Sequence, residues 1–410
     1  RNFGDELSNK VKMTAKAIDV KMLDRILRSV EGEIETEASP IKCLSSNRLN
    51  QSITREEIIN RVEAYIRDKA HREVSYNDVA NYLICITQGF ITTFAGEPGT
   101  GKTSLCNILA KSLGLCDQET RRFVDISVER GWTSHKDFIG YYNPLTKRME
   151  KSNAEVFDAF TLLDLECGSM ETPYDPNNVA PFLILLDEAN LSPIEHYWAP
   201  FLRNCDFNST TNRTISLGGN NNLRLPDHLR FLATVNFDHT TEELSPRFLD
   251  RSWVITLEPS LIDDIDEETI ENADSMVSFD SLRRAFMPDG NSTIEEPIMD
   301  KWNAIQAIFR DDKCGMPISP RNIKMIKNYC VVACKCMILD SPQTKYAPLD
   351  YALSQKILPT INGTGDNYKM LIEELSKECS EQNMPITATH LKRMRRVAEN
   401  NIGYYQFFGH

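Results

Sequence analysis

The sequence predicts a doubly wound α/β fold: a parallel five-stranded sheet with helices on both faces, followed by a helical C-terminal domain. Three observations carry that prediction. Five short apolar runs alternate with helical patterns between residues 90 and 257, a glycine-rich loop directly follows the first run, and an acidic pair ends the third. Apolar runs that do not alternate with polar residues belong to parallel strands buried on both faces. Strands that alternate with helices close into a layered α/β core.

Taken in chain order, residues 1–53 read as a polar N-terminal segment or linker. It holds one amphipathic stretch at 17–30, with Ile18, Met22, Ile26 and Leu27 at helical spacing, and an acidic run at 31–37. The nucleotide-binding domain is expected over 54–260. Thr54 caps a helix reaching about Lys69, with Ile58, Ile59, Val62 and Ile66 on its buried face. A second helix, 77–88, leads into the first strand. The strands are read at 90–95, 123–127, 182–186, 231–235 and 253–257. A strongly acidic run at 263–271 reads as the link to a helical lid over 261–410, with turn clusters at 311–317, 340–348 and 362–366.

The glycine-rich loop is Gly96-Glu97-Pro98-Gly99-Thr100-Gly101-Lys102-Thr103-Ser104. Its G-x-x-x-x-G-K-T pattern lets successive backbone N–H groups converge on phosphate oxygens at a helix N-terminus. Lys102 reaches the β- and γ-phosphates, and the Thr103 hydroxyl suits an accompanying Mg²⁺. The acidic pair closes the run Phe182-Leu183-Ile184-Leu185-Leu186-Asp187-Glu188. Asp187 belongs on the Mg²⁺ shell, and Glu188 points at the water that attacks the γ-phosphoryl group. Asn236, at the end of Phe231-Leu232-Ala233-Thr234-Val235, can hold the same water from the other side.

Composition bounds the rest. The chain has 410 residues and a formal net charge of −13, which argues against a surface that is basic throughout. Its eleven cysteines are scattered without a C-x-x-C pair, as in a reduced cytoplasmic protein. No apolar run is long enough to span a membrane. Neither a nuclease-like set of carboxylates nor a zinc-type ligand spacing is present, so any cutting of DNA is expected in another subunit. The chain opens on Arg1 rather than Met, which leads us to expect a specificity domain ahead of it.

The three strands carrying G-E-P-G-T-G-K-T, L-L-D-E-A-N and T-V-N resemble those of an AAA+ ATPase. Leu244 to Arg251 (L-S-P-R-F-L-D-R) is similar to the arginine-finger helix of the MoxR, dynein and McrB group. Residues 214–225, within a segment expected at about 213–226, resemble that group's pre-sensor β-hairpin. Residues 132–148, 187–198, 355–363 and 404–408 are similar to segments of McrB-like motors. The resemblance implies a ring, usually a hexamer, with each site shared between neighbours. By matching position Arg251, or Arg247 as second candidate, would reach the neighbour's γ-phosphate. Ser319-Pro320-Arg321 resembles the lid's sensor-2 motif, with Arg321 contacting phosphate. The N-T-A-D signature of McrB proteins is replaced by Asn236-Phe237-Asp238-His239, which displaces the acid by one position.

That resemblance further implies hydrolysis of ATP or GTP, both of which stay open, and a McrC-like nuclease partner in an antiphage restriction system. Candidate contacts to DNA are Tyr141, Tyr142, Lys147, Arg148 and Lys151, basic residues interleaved with aromatics. Arg213 and Arg224 on the hairpin are further candidates. The second reading is a MoxR-like chaperone that remodels a protein client.

Overall fold

The computed structural model describes residues 49–117, 120–168, 179–205, 213–237, 241–259, 269–290 and 292–408. The amphipathic stretch at 17–30, the acidic run at 31–37, most of the acidic run at 263–271, and Asp238 and His239 lie outside them. Every element below belongs to the unit formed by residues 41–410.

Thr54 opens helix α1 (Arg55–Ala64) with a capping box: its hydroxyl accepts from the Glu57 backbone while the Glu57 carboxylate accepts from the Thr54 backbone. Such a cap contributes about 1 kcal/mol. The helix widens into one π-type turn, Tyr65–Lys69, which accounts for the expected end at Lys69. Ser75 and Asp78 form the same box ahead of α2 (Tyr76–Gln88). Helix α2 is buried around nearly its whole circumference, because it lies between the sheet and the lid.

The central sheet contains β1 (Ile91–Ala95), β2 (Phe123–Ser127), β3 (Phe182–Asp187), β4 (Leu229–Val235) and β5 (Trp253–Thr256). Its order is β5-β1-β4-β3-β2, with every neighbouring pair parallel. The chain leaves β1 in one direction and returns past it to β5, so the crevice at the carboxyl end of β1 is the topological switch point. Strand period decides the faces. Phe94, Leu185, Leu232 and Trp253 pack on the face covered by α2 and the lid, whereas Ala95, Leu186, Ala233 and Val254 pack on the other. The interior strands β1 and β4 are buried at every position. Edge strand β2 alternates, while edge strand β5 stays buried because the lid covers it.

Helix α3 (Lys102–Ser112) follows β1, and α4 (Ala154–Gly168) precedes β3. Between β2 and α4 stands an antiparallel hairpin, Gly140–Asn143 with Arg148–Lys151, and between β3 and β4 a second one, Thr214–Gly218 with Asn221–Arg224. A short helix α5 (Pro246–Leu249) leads into β5. The lid comprises α6 (Phe279–Phe286), α7 (Glu296–Arg310), α8 (Pro320–Cys336), α9 (Ala347–Lys356), α10 (Asp366–Glu378) and α11 (Pro385–Asn400). It is not helical to its end: Asn362–Thr364 pairs antiparallel with Tyr404–Gln406. Trp253 of β5 lies against Tyr329 of α8, with ring centroids 5.0 Å apart.

Candidate functional site

The glycine-rich loop leaves β1 where β5 crowds it. A Cβ at Gly96 would sit 2.7 Å from the Leu257 carbonyl, so only glycine fits there. Gly101, the cap of α3, has φ +72° and turns the chain into the helix. Thr100 Oγ1 donates to the Glu97 carbonyl at 3.0 Å, which tightens the loop. Lys102 folds back over it, its Nζ donating to Glu97 O at 2.7 Å and Gly96 O at 3.1 Å. Burial lowers the Lys102 pKa, and the carboxylates of Asp187 and Glu188 oppose that shift. Arg72, a residue the motif does not include, braces the loop from behind by donating to Gly101 O at 2.8 Å and Thr100 O at 3.0 Å.

β3 delivers Asp187 to the start of α3. Asp187 Oδ1 accepts from the Thr103 hydroxyl and from the Thr234 hydroxyl, each at 2.6 Å. Thr234 Oγ1 in turn accepts from the Glu188 N–H at 2.8 Å, so one threonine of β4 ties both acidic residues in place. Glu188 is exposed and has φ +51°, a conformation costly for a residue with a Cβ and one that turns it out of the strand. Among the described residues no group of three His, Cys, Asp or Glu side chains could hold a metal ion. Mg²⁺ needs no such group, since it keeps waters and substrate oxygens as most of its ligands. Thr103 and Asp187 are hard oxygen donors that touch each other, so the residues present fit that ion.

Asn236 follows β4 on the same edge, and its side-chain Oδ1 is buried with no hydrogen-bond partner among the described residues. Its backbone is held by Asn190, only 2% exposed. Asn190 Oδ1 accepts from Asn236 N at 3.2 Å, while Asn190 Nδ2 donates to Asn236 O at 2.8 Å and Glu242 O at 3.1 Å. Ser192 does similar work on the neighbouring loop, accepting from Trp132 N and donating to Glu129 O. The polar residues of D-E-A-N-L-S thus bind the acidic turn to the loops on either side. Phe237 stacks on Phe408 from the chain's end, with centroids 4.2 Å apart.

The arginines lie elsewhere. Because β5 runs parallel to β1 with Trp253 opposite Thr92, the segment 247–252 sits at the amino edge of the sheet, away from the loop. Six strand residues at about 3.3 Å each put the two edges about 20 Å apart. Arg247 is exposed. Arg251 is held by its own chain, its Nε donating to Leu202 O and one terminal nitrogen to Arg247 O, both at 3.0 Å.

Arg321 is on that same amino edge. It ion-pairs with Asp250 and lines a cavity of about 380 Å³ together with Arg251, Gly89 and Phe90. The structure therefore does not bring Arg321 to the phosphate loop of its own chain. The Ser319 cap of α8 is formed as expected, but its helix starts beside Asp250, to which Ser319 Oγ also donates at 2.7 Å.

A lid cation on the side of the loop is Arg393 of α11, one terminal nitrogen of which donates to Phe407 O at 2.9 Å. His390, one turn earlier, meets Thr256 at the carboxyl end of β5 at 3.1 Å. Burial lowers the Arg393 pKa against the pull of Glu258 and of Glu97 in the loop itself. Arg393 Nε is buried without a partner among the described residues.

Several expected DNA contacts are engaged internally. Arg224 donates to Asp164 Oδ1 at 2.8 Å, Arg213 is buried near Asp227, and Lys151 pairs with Asp158. Tyr142 packs against Gly219 of the second hairpin. Lys147 and Arg148 remain exposed at the first hairpin's tip, beside Leu145, which is 92% exposed.

With the P-loop after β1, the acidic pair after β3 and the order β5-β1-β4-β3-β2, the chain has an AAA+ ATPase-like fold. Residues 270–404 match a family described only as a domain of unknown function, DUF8727, over less than half of the chain. No curated protein matches. A candidate ATPase from Cytophaga hutchinsonii is similar in structure at 19% identity, over 66% of this chain and 78% of that one, with a TM-score of 0.41. At that level the fold rests on the strand order and the site, not on the neighbour.

Proposed function

We propose that this chain is a nucleoside-triphosphatase of the AAA+ class, a motor that hydrolyses ATP or GTP at sites shared between neighbouring copies in a ring. The observation that carries the reading is the Thr103–Asp187–Thr234 network set against Lys102. It places a hydroxyl, a carboxylate and an ammonium around one helix N-terminus. In the proposed chemistry the loop N–H groups and Lys102 hold the β- and γ-phosphates. Thr103 and Asp187 would hold Mg²⁺, which offsets charge on the phosphate oxygens. Glu188 takes the proton of the attacking water, Asn236 orients that water, and Arg393 meets the triphosphate from the lid. Arg251 or Arg247 of a second copy completes the site.

As to substrate, we propose a McrB-like motor that translocates DNA for a McrC-like nuclease, with ring assembly, usually hexameric, driven by nucleotide. Support comes from the quoted sequence resemblance and from Lys147 and Arg148 at an exposed hairpin tip. One observation favours the second reading, a MoxR-like remodeller of protein clients. Leu145 is almost fully exposed at the same tip, and an apolar knob suits a polypeptide better than a phosphate backbone. Steady-state hydrolysis of ATP and GTP, with and without duplex DNA and with Glu188→Gln as blank, decides between them. GTP turnover raised by DNA supports the McrB-like motor. ATP turnover indifferent to DNA moves the assignment to the remodeller.

A further inference from the structure

The lid grips the arginine-bearing turn of its own core through polar groups that the proposed hydrolysis does not use. Lys356, the last residue of α9, has no exposed surface. Its three ammonium donors meet three carbonyls: Ser252 O at 2.7 Å, Asp250 O at 2.9 Å and Leu249 O at 3.0 Å. These carbonyls terminate α5 and flank Arg251. A second pair of lid residues, Ser319 and Arg321 of the α8 start, holds the Asp250 carboxylate from the other side. Burial pulls the Lys356 pKa down to about 7, partly opposed by Asp250. Burial likewise works against the Asp250 carboxylate, but the hydrogen bonds from Ser319 and Arg321 prevail and its pKa is lowered.

An ammonium buried at such cost is satisfied only while all three carbonyls stay together. A leucine or methionine would fill the same space without that penalty, so bulk alone does not explain a lysine here. From this geometry we infer that Lys356 is a positioning residue: it locks the turn 247–252 to lid helix α9 and so sets how Arg247 and Arg251 are presented to a neighbouring copy. Because α9 packs on lid helices α8 and α11, the latch ties the position of those helices to the amino edge of the sheet. The inference rests on the shared-site reading above.

The test mixes variants before assembly. Lys356→Met alone loses at least 10-fold in hydrolysis while nucleotide affinity stays within about twofold. It retains an intact phosphate loop, so mixing it with Glu188→Gln, whose arginine edge is intact, raises turnover several-fold above the sum of the two. Mixing it with Arg251→Ala, defective at the same edge, gives no gain. Arg251→Ala mixed with Glu188→Gln is the control. If the control recovers and the Lys356→Met mixture does not, the latch is refuted while the shared site stands. If the control itself fails to recover, the shared site falls and the latch with it. Wild-type turnover by Lys356→Met also refutes the latch. Where Lys356→Met does not fold, Asp250→Asn on the partly exposed side of the same turn runs through the same mixtures with the same expected pattern.

Discussion

The two edges of the central sheet carry opposite chemistries. At the carboxyl edge stand Lys102, Thr103, Asp187, Glu188 and Asn236, a set of acids, hydroxyls and amides around one cation. At the amino edge stand Arg251 and Arg321, held by Asp250 and backbone carbonyls, with exposed Arg247 beside them. In the proposed chemistry the first set binds the triphosphate and activates the water, with Lys102 as its cation. In the same proposal Arg251 or Arg247 of the second set would add positive charge at the γ-phosphate of a neighbouring copy. With about 20 Å of strand between them, the proposed shared site would require one copy to present its amino edge to the carboxyl edge of another. A head-to-tail contact of that kind would be heterologous, the type that closes into a ring when the rotation permits.

Removing the arginine is the largest expected break. An arginine on the transferring group is worth about 10³–10⁵ in rate. Arg251→Ala, or Arg247→Ala if that residue reaches further, should lose activity on that scale, and mixing with Lys102→Ala should restore part of it. Turnover that stays low at every mixing ratio would mean that the two edges do not meet. Next is Glu188→Gln at the other edge. A general base contributes about 10²–10⁴, so single-turnover hydrolysis should fall by that factor while binding of a fluorescent nucleotide persists. Residual turnover within tenfold of wild type would remove Glu188 from the role of base.

The carboxyl edge is legible in the residues themselves, whereas the amino-edge arginines are reached only through the family resemblance, for a physical reason. A phosphate loop is built from consecutive residues, so its glycines, Lys102 and Thr103 appear as one string. The strands around it are buried on both faces and appear as apolar runs. The residues that brace the site do so through backbone carbonyls distant in the chain: Arg72 on Thr100 and Gly101, Asn190 on Asn236 and Glu242, Lys356 on Leu249 to Ser252. A carbonyl has no residue identity, so such partnerships leave no pairing in sequence. Arg321 illustrates the same limit. Its helix start was readable from Ser319 and Pro320, yet which sheet edge that helix end meets is decided by how α8 packs on Trp253. The hairpin arginines Arg213 and Arg224 had a charge pattern suited to DNA and instead hold the hairpin to the body of the protein.

Asn190 offers a finer test of the carboxyl edge. In Asn190→Asp the shape is kept and the Asn236 N–H still finds an acceptor, but the carbonyls of Asn236 and Glu242 lose their donor. Because a displacement of about 1 Å at a reacting centre can cost about 10²-fold, kcat should fall by roughly that factor with KM little changed. An unaltered kcat would show that the Asn236 loop is held adequately by its other contacts.

The smallest expected effect concerns the joint between the edges. Asp350 of α9 accepts from the backbone N–H groups of Thr387 at 2.7 Å and Ile386 at 3.0 Å, and so caps α11. One carboxylate therefore links the helix that carries Lys356 to the helix that carries Arg393. Burial raises its pKa from 3.8 to about 6, against the hydrogen bonds from Thr387 and Ile386. The sign is the reverse of a salt-bridged acid. Between those two values the folded state keeps a proton that the unfolded state has released. Stability from this group is therefore greatest near pH 4 and declines as pH rises to about 6, by no more than roughly 3 kcal/mol. Asp350→Asn stays neutral throughout, so relative to wild type it should gain stability between pH 4.5 and pH 7 in denaturant unfolding. Equal pH slopes in the two proteins would mean that Asp350 is ionised without penalty, and that the joint is wetter than its burial implies.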